Sequence, residues 1–269
     1  MKKILITGAN SYIGTSFKKY VEEKYPLDYE IDSVGMIDGT WRDKDFSQYD
    51  SVFHVAGIAH QKETKENAEL YYKVNRDLAI ETANKAKEAG VKQFVFLSSL
   101  SVYGMDVGVI TKETVPLPKS NYGKSKLQAE KGLALLASDD FKVCVLRPPM
   151  VYGEGCKGNY QMLVKIANKF PIMANYKNAR SMIHIDVLSE FVETMISEKN
   201  SGLWIPQDES YGCTCEMIRE IALANDKKMR LTKILNPGIW LIKCFTRKGK
   251  KAFGNLIYDG EPFLSKKVL

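Results

Sequence analysis

An α/β fold, with a doubly wound parallel sheet, crossover helices and a smaller C-terminal lobe, is predicted by three features of this chain. Short apolar runs alternate with longer helical patterns from the start. A glycine turn, Thr7-Gly8-Ala9-Asn10-Ser11-Tyr12-Ile13-Gly14, lies where the first apolar run ends. Regularity then breaks at Pro148 and Pro149, whose rings can continue neither a ladder nor a helix. Residues 1–147 are therefore assigned to the sheet domain and 148–269 mainly to the lobe.

Residues 2–7 read as a buried strand and Tyr12 to about Lys24 as an amphipathic helix. Tyr29 to Met36 make a second strand, and Ser51 to Ala56 another. A long helical pattern from about Thr64 to Ala89 ends at Gly90. Strand Gln93–Ser98, a helix carrying Tyr122 to about Ala137, and strand Lys142–Leu146 follow. Beyond Pro149 a strand at Leu203–Pro206, expected to return to the sheet, and a helix from about Thr214 are legible. Tyr258 to Leu269 carry no readable pattern, and there are no internal repeats or low-complexity tracts.

At 269 residues and 45% hydrophobic content, the chain has the composition of a globular protein with a sizeable core. No apolar run reaches spanning length, and the N-terminus turns to glycine too soon for a signal peptide. Five cysteines without framework spacing suggest reduced thiols. Cys213-Thr214-Cys215 lacks a second Cys/His pair, so no metal is expected. A cytoplasmic location fits these features. The net charge of +7 is uneven: residues 227–251 hold nine Lys/Arg and no acid around an apolar stretch, Ile239 to Phe245. Such a segment can rest on an anionic membrane, but a surface helix packed on the lobe has the same pattern, and we expect that. No nucleic-acid module is present.

The glycine turn sits at a strand–helix junction, where backbone N–H groups and a helix N-terminus can meet a pyrophosphate. Gly8 supplies the turn and Gly14 close helix–sheet packing, while Ser11 stands where the dinucleotide fingerprint has its second glycine. A Rossmann-type dinucleotide domain follows from this context, with Gly8, Asn10, Ser11, Tyr12, Ile13 and Gly14 around the cofactor. Asp32 and Asp38 both lie in the window for a ribose-binding acid, and Arg42 and Lys44 could instead take a 2′-phosphate. NAD is expected, through Asp38, with NADP left open. Tyr122 and Lys126 stand one helical turn apart; an ammonium there can lower a phenol's pKa from about 10 toward neutrality. Tyr20 and Lys24 repeat the spacing but lie late on the first helix, far from the strand ends. His54, His60 and His184 are read as structural.

Further segments fall in one order: Phe53-His54-Val55-Ala56-Gly57, Ser98-Ser99-Leu100-Ser101-Val102-Tyr103-Gly104, Tyr122-Gly123-Lys124-Ser125-Lys126, Leu146-Arg147-Pro148-Pro149-Met150-Val151-Tyr152-Gly153 and Arg180-Ser181-Met182-Ile183-His184. With the glycine turn, these make Met1 to about Ile221 resemble the extended short-chain dehydrogenase/reductases, specifically the nucleotide-sugar epimerase/dehydratase family. The resemblance implies a catalytic set of Ser99, Tyr122 and Lys126, with Ser99 holding the sugar C4 oxygen and Lys126 binding the nicotinamide ribose. It implies Ala56, Gly57 and Pro149 at the cofactor, and Asn159 and Arg180 at the substrate, Arg180 gripping a nucleotide diphosphate as guanidinium does. It also suggests Asn75 at the border of the site, a substrate-binding C-terminal lobe, and a homodimer through the long helix and the Tyr122 helix.

Dehydratases of that family resemble one another in placing Asp-Glu after the catalytic Ser/Thr; here Leu100-Ser101 stand there, and neither is a carboxylate acid or base. C4 chemistry on a UDP-hexose remains: a 4-epimerase is placed first, and a 4-keto-sugar reductase of surface polysaccharide synthesis second. A non-catalytic dinucleotide sensor is the reading of a different class.

Overall fold

The computed structural model describes residues 1–260 except 60, 62 and 157, and all but the side chain of Asn159 among them. His60 and the C-terminal residues 261–269 lie outside the described residues. In chain order the elements begin β1 (Lys2–Thr7), α1 (Tyr12–Lys24), β2 (Tyr29–Val34), β3 (Ser51–His54), α2 (Ala68–Tyr72), α3 (Leu78–Glu88), β4 (Gln93–Leu97), β5 (Gly108–Ile110), α4 (Asn121–Ala134) and β6 (Lys142–Leu146). They continue with β7 (Met150–Tyr152), α5 (Asn159–Lys169), β8 (Ile172–Ala174), β9 (Met182–His184), α6 (Ile185–Ser197), β10 (Gly202–Trp204), α7 (Thr214–Ala224), β11 (Arg230–Thr232), α8 (Asn236–Phe245), α9 (Arg247–Phe253) and β12 (Leu256–Tyr258).

Six strands form one parallel sheet in the order β10-β6-β4-β3-β1-β2. The alternation of side chains along each strand builds the two layers around it. Ile4, Ile6, Phe53, Val95 and Leu146 pack under α1 and α6 through Phe17, Leu188 and Phe191. Leu5, Val52, Phe94, Phe96 and Val145 pack on the other face under α3 and α4, through Ala79, Ala83, Ala129 and Leu133. The small alanines let these helices lie close to the sheet, which is why the long helical pattern carries so little bulk on its buried side.

From β1 the chain moves outward to β2 and then returns to β3 on the other side. The order therefore reverses between β1 and β3, and open parallel sheets bind ligands beyond the strand ends at such a point. The expected return near 203–206 occurs as β10, which pairs with β6 in register Leu203↔Val145. The part beyond Pro149 also supplies α6, a full layer element whose buried face includes Leu188, Val192 and Ile196. The long helix expected over 64–89 is interrupted: Lys73–Asp77 form a π-helical turn between α2 and α3, a local widening that often marks functional sites. A separate apolar cluster holds α5, α7 and β8 together through Leu163, Met173, Ile218 and Ala222.

Candidate active site

A cleft of about 2000 Å³ opens at the β1/β3 reversal. Its floor is the glycine turn. Gly8 has φ +109°, and a Cβ there would lie 2.9 Å from the Ala56 backbone nitrogen; no L side chain suits that conformation. Gly14 fits against the sheet, where a Cβ would come within 2.9 Å of Ile6. Asn10, Ser11, Tyr12 and Ile13 line the cleft above it. Ser11 has the ordinary extended conformation of a helix N-cap, and its Oγ accepts from the Gly14 N–H at 3.5 Å. A serine at the second-glycine position is thus a cap, and nothing in that backbone requires glycine. Gly8→Ala is expected to cost about 2–4 kcal/mol and to weaken dinucleotide binding, measured by urea denaturation and cofactor titration.

At and beyond β2 the two candidate acids separate. Asp32 lies inside β2, opposite Leu5, where the Tyr49 phenol and Lys44 at 3.6 Å engage it; both lower its pKa. Asp38 lines the cleft and is exposed; its Oδ1 accepts from the Thr40 N–H and hydroxyl at 3.1 and 2.8 Å, which hold the carboxyl below its ordinary range. Arg42 also lines the cleft but makes a two-pronged ion pair with Glu81 at 2.5 and 2.7 Å.

Another wall of the cleft is built by α4 and the ends of β3, β4 and β6. Ser120 caps α4, accepting from the Gly123 N–H at 3.1 Å, so Tyr122 and Lys126 enter the cleft from its first turns. Ser99 follows β4 and caps a short 3-10 turn: its Oγ accepts from the Ser101 N–H and donates to the Ser101 Oγ, both at 3.1 Å. Tyr122 lies beside Ser99; burial raises its phenol, and the Ser99 contact opposes that only in part. Ala56, Gly57, Pro149 and Arg180 line the same cleft. Gly57 leaves room for its neighbours, since a Cβ there would sit 2.9 Å from Asn75 Oδ1 and 3.3 Å from Lys126 Nζ. Asn159 opens α5, its side chain being outside the described residues, while Gly158 and Tyr160 on either side line the cleft.

One sequence expectation is corrected here. Lys126 does not lower the Tyr122 phenol in this arrangement; burial raises that phenol above its ordinary value. Lys126 Nζ instead donates to the Leu97 carbonyl at 2.8 Å and lies 4.6 Å from the centre of the Phe96 ring. Burial drives its own pKa down to about 7, Glu130 opposing. The i,i+4 spacing brought the two side chains to one face, but the strand beneath α4 captured the ammonium.

The glycine cradle, the Gly57 gap and the ammonium beside it fit a nicotinamide dinucleotide. The family model for the NAD dependent epimerase/dehydratase family matches residues 4–203. The chain belongs to that family. It is an enzyme family whose cofactor is a nicotinamide dinucleotide. The UDP-glucose 4-epimerase of Vibrio cholerae is 33% identical over 271 residues, covering 91% of this chain and 81% of that protein. An Escherichia coli O157:H7 protein, N-acetyl-alpha-D-glucosaminyl-diphospho-ditrans,octacis-undecaprenol 4-epimerase, is 28% identical over 74% of this chain and 64% of its own length. Among solved structures, MoeE5 in complex with UDP-glucose and NAD superposes with a TM-score of 0.71 at 19% identity, covering 99% of this chain and 92% of that one.

Several contacts that build this epimerase/dehydratase site join distant segments, so sequence reading could name Asn75 but not the bonds that it and its neighbours make. Glu63 accepts from the Asn121 and Tyr122 N–H groups at 3.0 and 3.1 Å, a second cap at the positive end of α4. Asn75, in the π turn, accepts from the Ile58 N–H at 2.9 Å and donates to Ser125 Oγ at 3.1 Å, tying the Gly57 loop to α4. Behind Ser99, Arg147 pairs with Glu130 at 2.5 Å and reaches the Tyr103 hydroxyl at 2.9 Å, both ions being buried. The residues read as structural are placed as follows. Tyr20 packs between α1 and α6, with its phenol raised by burial. His54 is stacked near Phe94 and Phe96, its Nδ1 2.8 Å from the Thr7 hydroxyl and its pKa driven by burial to about 3. Its Nε2 has no partner among the described residues, so the core satisfies only half of this ring. His184 caps α6 through its ring. Cys213 Sγ donates to the Tyr176 carbonyl and Cys215 is buried on α7.

Proposed function

We propose that this enzyme interconverts C4 epimers of a UDP-hexose or UDP-N-acetylhexosamine. The observation that carries the reading is the surrounding of Ser99. It meets the Tyr122 phenol on one side and Ser101 on the other, while Leu100 is buried in an apolar cluster. The two positions after Ser99 therefore hold a hydroxyl that orients it and a core side chain, and neither can move a proton between C5 and C6. The proton-exchanging groups left at the sugar act on one oxygen. In this reading Ser99 holds O4, and Tyr122 removes its proton as C4 is oxidised and returns it when C4 is reduced. Gly57 and Lys126 would hold the nicotinamide end of the cofactor, which would supply a reversible hydride acceptor when bound. Arg180, largely buried with its NH1 donating to the Gly254 carbonyl at 3.0 Å, is oriented from behind for the substrate diphosphate. The likeness to the Vibrio cholerae UDP-glucose 4-epimerase over most of both chains supports the same choice.

The cofactor is read as NAD. A 2′-phosphate would face the exposed Asp38 carboxylate, and Arg42 is already neutralised by Glu81. The purified protein should release NAD on denaturation, detected by mass spectrometry, and should interconvert UDP-glucose and UDP-galactose, or their N-acetylamino counterparts, without added dinucleotide. One-way reduction of a UDP-4-keto sugar by added NADPH would move the assignment to a 4-keto reductase. Activity in neither assay would sink C4 chemistry altogether.

A further inference from the structure

The lobe's last helices present an apolar surface to solvent in the opposite sense to an ordinary surface helix. On α8, the side chains turned toward the protein include polar ones. Asn236 donates to the Asn175 carbonyl at 3.0 Å, and Lys243 Nζ donates to the Tyr176 hydroxyl at 2.5 Å and sits over that ring. Ile239 alone of the apolar stretch packs on the lobe cluster. Trp240, Leu241 and Phe245 are exposed, as are Ile234 and Leu235 of the preceding turn, while Ile242 is half exposed against Gly249 of α9. Phe245 is 78% exposed, Ile234 86% and Trp240 52%. Large apolar side chains exposed in such number over one short stretch mark a contact surface.

Charge identifies the occupant. Lys228, Arg230, Lys233, Lys248 and Lys250 are exposed around the patch and make no salt bridge among the described residues. Residues 227–251 contain no acid to soften that field. A second copy seated here would bring two such cationic rims together, which like-charge repulsion opposes. The chain's own last nine residues, with one acid and two lysines, offer no complementary charge. An anionic bilayer offers both what the rim and the face need: phosphate headgroups for the lysines and an acyl boundary for the apolar side chains, with tryptophan at the interface between them.

We propose that α8 and α9 form an interfacial anchor that docks this enzyme on anionic membrane surfaces. Among the described residues no helix is long and apolar enough to cross a membrane, so the contact is peripheral. The anchor is continuous with the cleft: Arg247 and Lys251 of α9 hold Asp106 at 2.9 and 3.4 Å, and Lys251 and Asp106 line the cleft wall. Docking thus sets the lobe side of the site close to the headgroup layer.

The test uses the full chain and vesicles of phosphatidylcholine with or without phosphatidylglycerol. The protein should co-sediment with the phosphatidylglycerol vesicles at least about tenfold more strongly than with phosphatidylcholine alone, and high salt should release it. Its tryptophan emission should shift to the blue on binding, and Trp240→Phe should remove the shift. Leu241→Glu/Phe245→Glu and Lys248→Glu/Lys250→Glu should each abolish co-sedimentation while leaving turnover of a soluble substrate and the circular dichroism spectrum unchanged. Absence of binding to phosphatidylglycerol vesicles overturns the proposal. So does binding that appears only after truncation at Gly260, which would make the tail the occupant. A dimer in sedimentation velocity that Leu241→Glu/Phe245→Glu dissociates, with vesicle binding unaffected, also overturns it in favour of a second copy.

Discussion

Tyr122→Phe is expected to lower kcat for C4 conversion by about 10³-fold, with kcat/KM falling in parallel and dinucleotide retention unchanged. The substitution removes one hydroxyl from a ring whose position is held by α4, and α4 keeps its Ser120 and Glu63 caps. Ser99 would still be oriented by Ser101 but would have no group to pass the C4 proton to. The fold should be untouched or slightly stabilised, because a buried phenol with a raised pKa gives way to an apolar ring. Single-turnover measurements with a UDP-sugar, beside mass spectrometry of the retained cofactor, check both halves. Unchanged turnover would remove Tyr122 from the chemistry, and loss of cofactor together with turnover would make its role one of binding.

Lys126→Met should raise stability strongly, in the direction opposite to its effect on activity. Lys126 has a pKa near 7 in the folded chain against about 10.4 for a free lysine. Below pH 7 both folded and unfolded chains carry the proton, and the buried charge destabilises the fold in full. As pH rises from 7 toward 10.5 the folded chain is neutral while the unfolded chain still holds its proton, so stability rises with pH through that window. Methionine removes the term. The variant should be more stable than the parent by on the order of 3 kcal/mol at pH 6, after the lost bond to the Leu97 carbonyl is subtracted. The advantage should shrink by roughly 2 kcal/mol by pH 9. Urea denaturation at the two pH values measures this, and an equal difference at both would show that Lys126 is not held near neutrality. Activity should fall beyond detection, since no ammonium then remains beside Gly57 for the ribose. Function kept at the expense of fold stability is common at active sites.

What could be read along the chain was whatever local chemistry dictates. The strand–glycine–helix start was legible because only glycine tolerates the conformation at Gly8, and the period of the side chains marks strand and helix on either side. Ser99, Tyr122 and Lys126 were legible as a set through the family resemblance, carried by segments in a fixed chain order, and the structure brings all three to one cleft. Elements beyond Pro149 were harder. The α6 pattern mixes apolar residues with Ser189, Glu190, Glu193 and Thr194, which are buried too because the helix packs against α1 and the sheet, so its polar positions mark no solvent face to read. The long helix lost its middle to a π turn because Asn75 points inward to bond Ile58 and Ser125.

By itself, then, the sequence determined the doubly wound sheet and the dinucleotide turn, since propensity, turn conformation and helical spacing are properties of neighbouring residues, and through the family resemblance it singled out Ser99, Tyr122 and Lys126, which line one cleft. Only the tertiary structure decided how those side chains are tuned. It turned Lys126 toward the Leu97 carbonyl, raised the Tyr122 phenol by burial, chose Asp38 over Asp32 for the cleft and neutralised Arg42 with Glu81. It also turned α8 inside out, with its lysine on Tyr176 and its aromatic residues toward solvent. Desolvation and ion pairing depend on which distant segments close around a group, and no spacing along one strand or helix carries that information.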